Sequence, residues 1–426
     1  MKKTFTKIAL GLLCLALVFT SCNPPSYSKA MEDVKTPVNL TNYEPLYIKP
    51  IQADSVNSSE YIRGFDASAL YALERNGAIF YDSDNSEKDM LTILKNHGVN
   101  WIRLRVWNNP YSQAAGTADN TGFCDIKKAK EISVRAKALG MKVLIDFHYS
   151  DTWADPAKQN LPAAWDKYAN DAIALAEAVY DFTKKSLTIL KEAGATPDMV
   201  QIGNEIDSGM FLKKSDGTTG AFSKSDLPTF LAKASKAVKD VDSNIKVMIH
   251  TTSKNPGNNA KDVLGSITYD VIGLSYYPFY DHGNIETLAT TIQSLKSTYG
   301  KEVVIAETSF AWTVDWVEGK NDDTSNTLWY DGLKIALESL SNYFNGYEYE
   351  SGNYCIEPTI QNQAEAIRTI MEVSANAGAQ GIFYWGGEWV STTSIGSSWE
   401  NQALFDLDGK VLPSIDVFNV QSKVAE

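Results

Sequence analysis

The sequence predicts an α/β fold, a single-domain (β/α)8 TIM barrel. Eight short apolar runs of strand length alternate with amphipathic stretches of helix length, which implies a parallel sheet, and eight repeats point to closure. The chain has 426 residues, a length that barrels commonly occupy as one unit. An open doubly wound sheet is the structural alternative. It usually carries a glycine-rich phosphate loop after its first strand, and Gly64-Phe65-Asp66-Ala67-Ser68 is not one.

In chain order, strands are expected at Ile62–Ser68, Asn100–Trp107, Lys142–His148, Met199–Glu205, Lys246–Thr252, Asp270–Tyr277, Glu302–Thr308 and Gly381–Trp385. Each is rich in Val, Ile, Leu or aromatic residues, as strands buried on both faces require. Helices fill the intervals. Ser86–His97 opens on a Ser-x-x-Asp capping box. Asp125–Leu139 closes on Gly140, a residue suited to a left-handed cap. Asn170–Glu192, Lys224–Asp240, Ile285–Tyr299 and Gln361–Asn376 follow, and the links after Thr252 and Trp385 are less regular. The stretch 309–358 is long for one barrel loop, and a helix over Trp329–Phe344 is expected within it as a lid or decoration.

Ahead of the barrel (residues 61–426), residues 1–21 read as an export signal: Met1-Lys2-Lys3, then an apolar run from Ile8 to Thr20, too short for a membrane span. Its end, Phe19-Thr20-Ser21-Cys22, resembles a bacterial lipobox. That implies a lipid on Cys22 and anchoring to the outer membrane, at the cell surface or in the periplasm. The alternative is a plain secretory signal cut nearby. Residues 22–60, polar and punctuated by five prolines, read as a tether or extended strap. Cys124 and Cys355 are then left, free or paired. They make no metal site, since neither has a second thiol or a His at ligand spacing.

With 44% hydrophobic and 21% charged residues the chain is globular rather than disordered. Its formal net charge of −13, without a basic patch, argues against nucleic acid as a partner.

The chemistry is expected at the C-terminal strand ends, where barrel active sites gather. Val200-Gln201-Ile202-Gly203-Asn204-Glu205 and Val303-Val304-Ile305-Ala306-Glu307 are apolar runs that each end in a carboxylate. Either Glu alone could be a structural ion pair. Two of them, facing each other across one barrel, are what glycosidic cleavage needs: one acid to protonate the leaving oxygen, one carboxylate to attack or stabilise the anomeric carbon. On the second strand Trp101, Arg103, Arg105 and Trp107 share the inward face. Inward arginines require carboxylate partners, the nucleophile or a structural Asp such as Asp66. Asp146 and His148 share a face of the third strand, and His148 could bind a sugar hydroxyl, hold a catalytic Glu, or belong to a closed network. Tyr277 faces inward with Gly273 and Ser275 and could donate to the nucleophile. Trp385 suits the floor of a sugar subsite, or the core. Trp153, Trp312 and Trp316 could stack the polymer or pack the loops.

Several of these stretches are recognisable. Trp101–Pro110 (WIRLRVWNNP), Ile145–Pro156 (IDFHYSDTWADP), Ile202–Ile206 (IGNEI), Gly273–Tyr280 (GLSYYPFY) and Ala306–Ser309 (AETS) resemble the endo-β-1,4-galactanases of glycoside hydrolase family 53, from about Tyr61 to Val417. The resemblance implies retaining hydrolysis of β-1,4-galactan, with Glu205 as general acid/base and Glu307 as nucleophile. Arg103, Asn204, Tyr277 and Trp385 match supporting positions. No cofactor is implied. Some bacterial members hold calcium on a closely spaced Asp, His and Asn run in the loop after the seventh strand; Gly319–Asn326 has oxygen ligands but no His and no clean match to that run. Other retaining barrel enzymes, of mannanase or xylanase type, share the carboxylate pair. A glycan-binding lipoprotein without activity would be expected to lack one of the two.

Overall fold

In the computed structural model, residues 40–111, 124–220, 222–252, 267–278, 285–313, 348–349, 353–354, 358–392 and 399–419 are described. The expected signal and lipobox, the helix over Trp329–Phe344, Trp316, Cys355 and the stretch Gly319–Asn326 lie outside them. Thr41–Glu426 forms one compact unit, and of Met1–Leu40 only Leu40 is described.

Eight parallel strands close into a barrel: β1 (Ile62–Asp66), β2 (Trp101–Val106), β3 (Lys142–Phe147), β4 (Met199–Ile202), β5 (Lys246–Thr252), β6 (Val271–Ser275), β7 (Glu302–Thr308) and β8 (Gly381–Tyr384). Each pairs with its sequence neighbours, and β8 closes the ring on β1 through Ile62↔Gly381 to Phe65↔Tyr384. The expected strands run a residue or more long at several ends, most at β4. There Gly203 takes φ +93°, which ends the strand before Glu205.

The helices are α1 (Leu70–Arg75), α2 (Met90–Asn96), α3 (Ile126–Ala138), α4 (Ala172–Glu192), α5 (Leu227–Val241), α6 (Ile285–Tyr299) and α7 (Ile360–Asn376). Their starts follow capping chemistry. Asp125 accepts from Lys128 N at the head of α3, and Asp171 from Ala174 N at α4. The capping box expected at Ser86 does not form. Ser86 bonds Asp84, and Asp89 itself caps α2 by accepting from Thr92 N, so the helix begins four residues late. A capping box closes instead over Ser223 and Asp226, leading into α5. After β8 a 3-10 turn, Pro413–Phe418, packs on α7.

Residues 41–60 belong to the same compact unit as the barrel, which therefore starts earlier than residue 61. Lys410 Nζ donates to Thr41 O at 2.6 Å, Tyr43 OH to Asp406 at 2.8 Å, and Glu372 accepts from Gln52 N at 2.7 Å. Ile48, Ala53 and Val56 of this strap are themselves buried.

The barrel interior has two storeys. At the N-terminal end Ile62, Trp101, Leu144, Met199, Met248, Val271, Val304, Ala306 and Phe383 form a separate apolar plug. Gly64 makes room for it, since a Cβ there would meet the Phe383 ring at 2.2 Å. One step up each strand the inward residues turn polar: Asp66, Arg103, Asp146, Gln201 and His250, all buried. The plug seals the base and the polar storey faces the mouth.

Candidate active site

The polar storey is organised around Arg103. Its guanidinium, 1% exposed, donates to Asp66 at 2.9 Å, Asp146 at 2.8 Å and Asn204 at 3.0 Å, and pairs with Glu307 Oε1 at 2.7 Å. Gln201 Oε1 accepts from Nε at 3.3 Å and from Nη2 at 3.2 Å. Burial opposes a charge here, but Asp146, Glu307 and Asp66 outweigh it and hold the arginine fully cationic. Asp146, in turn, is pushed up by burial and pulled further down by Arg103, ending below the ordinary range.

Glu307 reaches this hub through an irregularity. Val304 and Ala306 lie in the plug, so strict alternation would turn Glu307 out toward the helices. The register shifts on both sides of β7, where Ser275 pairs with Glu307 after Leu274 with Ile305, and Tyr384 with Thr308 after Ile382 with Ile305. Such a bulge re-aims a side chain. It brings the carboxylate inward, onto Arg103 and onto the Tyr277 hydroxyl, which donates to Oε2 at 2.8 Å. Burial lifts this carboxyl above its ordinary value, and the cation and the phenol pull it only part of the way back toward the anion.

Glu205 is aimed by strain instead. It occupies the left-handed region, φ 46° and ψ 55°, which costs a non-glycine residue about 1–3 kcal/mol and clusters at functional positions. Its Oε1 accepts from Ser275 Oγ at 2.6 Å. Burial first, and then the negative charge of Glu307, push its carboxyl up to about 8. The two glutamates thus sit in opposed environments, one beside a cation and one without.

Both line a cleft of about 760 Å³ with Trp153, Tyr277, Trp385 and Trp399. Trp385 is the hinge of this aromatic floor: its ring meets Trp399 at 5.2 Å, Trp153 at 6.1 Å and Tyr277 at 6.2 Å. Trp312 is not in it, and donates its ring N–H to Glu400 O. Arg105 departs from the expected carboxylate pairing. Its guanidinium lies 3.8 Å over Trp153 and 4.9 Å over Trp107 and donates to the free thiol of Cys124. His148 takes the network role: Nδ1 accepts from Trp107 Nε1 and Ala154 N, so Nε2 carries the proton to Asp146 at 3.1 Å. With both ring nitrogens engaged it has nothing left for a sugar hydroxyl.

Sequence reasoning missed Gln201, His250, Glu388 and Trp399. Gln201 and His250 were open to the alternation argument used on β2, because Val247 and Ile249 mark the outer face of β5 and leave His250 inward. Glu388 is buried beyond β8, accepts from Ala69 N at 3.1 Å, and is pushed up to about 8 by burial and Asp66. Trp399 follows an irregular link and carries no periodic signal.

Glycosidic cleavage asks for an acid and a carboxylate beside a sugar-sized cleft, and a barrel whose mouth sets one glutamate beside a cation and a second away from it belongs among the glycoside hydrolases. The family can be stated as well. The model of glycosyl hydrolase family 53 matches residues 62–418, and the chain belongs to that family. Among its relatives, the endo-β-1,4-galactanase of Bacillus subtilis (strain 168) is 34% identical, covering 95% of each chain. The arabinogalactan endo-β-1,4-galactanase of Cellvibrio japonicus (strain Ueda107) is 31% identical over 83% of this chain and 88% of its own. The solved GH53 catalytic domain of Ignisphaera aggregans superposes with a TM-score of 0.73 at 35% identity, covering 88% of this chain and 99% of that one.

Proposed function

We infer that this chain is an endo-β-1,4-galactanase, hydrolysing β-1,4-galactosidic bonds within galactan and type I arabinogalactan with retention of configuration. Family membership and the activity named for two relatives carry the substrate. The opposed environments of Glu205 and Glu307 in one cleft support the division of labour.

Glu307, ionised beside Arg103 and Tyr277, attacks the anomeric carbon. A bond forms from its carboxylate oxygen to that carbon as the bond to the leaving oxygen breaks, and Glu205 gives the leaving oxygen its proton. Glu205, now a carboxylate, takes a proton from water, whose oxygen displaces Glu307 and frees the sugar with its original configuration. Trp385 and Trp153 offer ring faces to the galactose units. No cofactor enters these steps.

Digestion of unbranched β-1,4-galactan tests the reading and should release short galacto-oligosaccharides. Intact galactan beside cleaved mannan or xylan would discard it. Because Glu205 must be protonated in the first step, kcat/KM should fall as pH rises through about 8, the value to which its environment lifts it. Glu205→Ala should lose about 10²- to 10⁴-fold on galactan and with it this alkaline limb.

Export and lipid anchoring at Cys22 are part of the same proposal, supported by the lipobox-like Phe19–Cys22. Labelled palmitate should enter the native chain and not Cys22→Ser; equal labelling of both would remove the anchor.

A further inference from the structure

Behind Glu205 stands a chain of buried polar groups that the two-carboxylate mechanism leaves unused. Ser275 Oγ lies 2.6 Å from Glu205 Oε1 and 2.9 Å from His250 Nε2. The other ring nitrogen, Nδ1, lies 2.9 Å from Asn204 Oδ1 and 3.0 Å from Gln201 Nε2. His250 is fully buried and Ser275 is 3% exposed. Both face inward from neighbouring strands, and Ser275 pairs with Glu307 across the sheet.

Counting hydrogens leaves the chain two arrangements. A serine hydroxyl has one proton to give, and a neutral imidazole has one N–H and one lone pair. His250 is neutral: burial, and then Arg103, hold its pKa well below the ordinary value. If its proton sits on Nε2, His250 donates to Ser275, and the serine must send its only hydrogen to Glu205 Oε1. Nδ1 then accepts from Gln201. If the proton sits on Nδ1, it goes to Asn204 Oδ1, and Ser275 turns its hydrogen back to Nε2. Gln201 satisfies either arrangement, because Asn204 Oδ1 at 3.0 Å and Gly203 O at 3.2 Å are further takers for its two amide hydrogens. Only the first arrangement blocks Oε1 as a place for the carboxyl proton. Among the described residues no group bonds Oε2, which is therefore the oxygen left to carry it.

We propose that the chain takes the first arrangement and that His250 and Ser275 are positioning residues: they fix the Glu205 proton on Oε2, the oxygen open to the leaving group, and steady the carboxylate once that proton has gone. This rests on Glu205 being the general acid/base. The titratable groups facing the assembly are Arg103, Asp146 and the neutral His148 at His250, and Glu307, Asp207 and Asp155 at Glu205. Among the described residues none of them is hydrogen-bonded to Ser275 Oγ, whose partners are Glu205 and His250.

The test separates acid catalysis from mere support by changing the leaving group. An aryl β-1,4-galactobioside with a nitrophenol leaving group needs little help from a proton, whereas galactan needs it fully. In Ser275→Ala and His250→Leu, kcat/KM on galactan should fall on the order of 10- to 100-fold, part of what a positioned acid supplies. The aryl substrate should change by less than about threefold, being insensitive to that term. The alkaline limb on galactan should also move to higher pH, since the carboxylate has lost its donor. His250→Gln, which keeps an N–H directed at the serine, should lose less than His250→Leu and serves where the latter does not fold. Equal losses on both substrates with an unmoved limb would reduce the pair to scaffolding and overturn the proposal. Glu205→Ala is run alongside. If it shows the leaving-group split and Ser275→Ala does not, the relay fails while the acid assignment stands. If Glu205→Ala cleaves galactan at the native rate, the acid assignment fails and the relay with it.

Discussion

Replacing Glu307 with Gln will abolish turnover of galactan, with kcat falling on the order of 10⁴- to 10⁶-fold, the scale seen when a covalent nucleophile is removed. The amide keeps the volume of the carboxylate and an oxygen that can accept from Arg103, so the barrel should fold and still bind polymer. What it lacks is an electron pair basic enough to form the glycosyl ester. A 2-fluoro galactoside with an activated leaving group should label the native chain at Glu307, as mass spectrometry of the peptide would show, and leave Glu307→Gln unlabelled. Substantial galactan cleavage by the variant, or labelling at another residue, would remove Glu307 from its role.

Arg103→Met should be the most damaging change to the fold among the cleft residues. Arg103 balances Asp66, Asp146 and Glu307 in a space where it is itself 1% exposed. Removing one partner of a buried ion pair typically costs about 3–5 kcal/mol, because the charges left behind stay buried. Arg103→Lys should recover little, since one ammonium cannot span acceptors arranged for a planar fork. The pH dependence has a definite sign. Asp146 has a depressed folded pKa, so its contribution is present above the unfolded value near 3.9 and disappears as pH falls through the folded one. The deficit of Arg103→Met should therefore be full at neutral pH and shrink in acid, where the carboxyls protonate and no longer need the cation. Chemical denaturation at neutral pH and at a pH well below the unfolded value measures it, and a deficit that grows in acid would contradict this account.

Much of the framework was legible because it follows from periodicity. Buried strands such as Lys142–Phe147 and Val271–Ser275 declare themselves as apolar runs, and Arg103 was placed inward by the alternation of Trp101, Arg103 and Arg105 against Ile102, Leu104 and Val106. The two glutamates stood out as carboxylates closing such runs. What aims them did not. The bulge that turns Glu307 inward depends on how β6 and β8 pair with β7, and the left-handed turn at Glu205 on the fit of its loop. Both are tertiary choices with no local pattern. Ser86 shows the same limit at small scale: its motif is right for a cap, but Asp84 lies two residues away and accepts from both its hydroxyl and its backbone N–H. Arg105 was expected to seek a carboxylate, and the ring of Trp153, on an irregular loop beyond β3, meets its charge instead.

The arrangement around Arg103 also bears on how the chain assembles. Asp66, Asp146, Gln201 and Asn204 lie within 37, 43, 98 and 101 residues of it, all on or just beyond β1, β3 and β4. Glu307 alone comes from the later half of the barrel. A nascent chain that has emerged only as far as Glu205 already contains two anions and two amide oxygens for this cation. The guanidinium therefore need not wait, desolvated and unmatched, for the ring to close, and the last contact it gains on closure is the one with the proposed nucleophile.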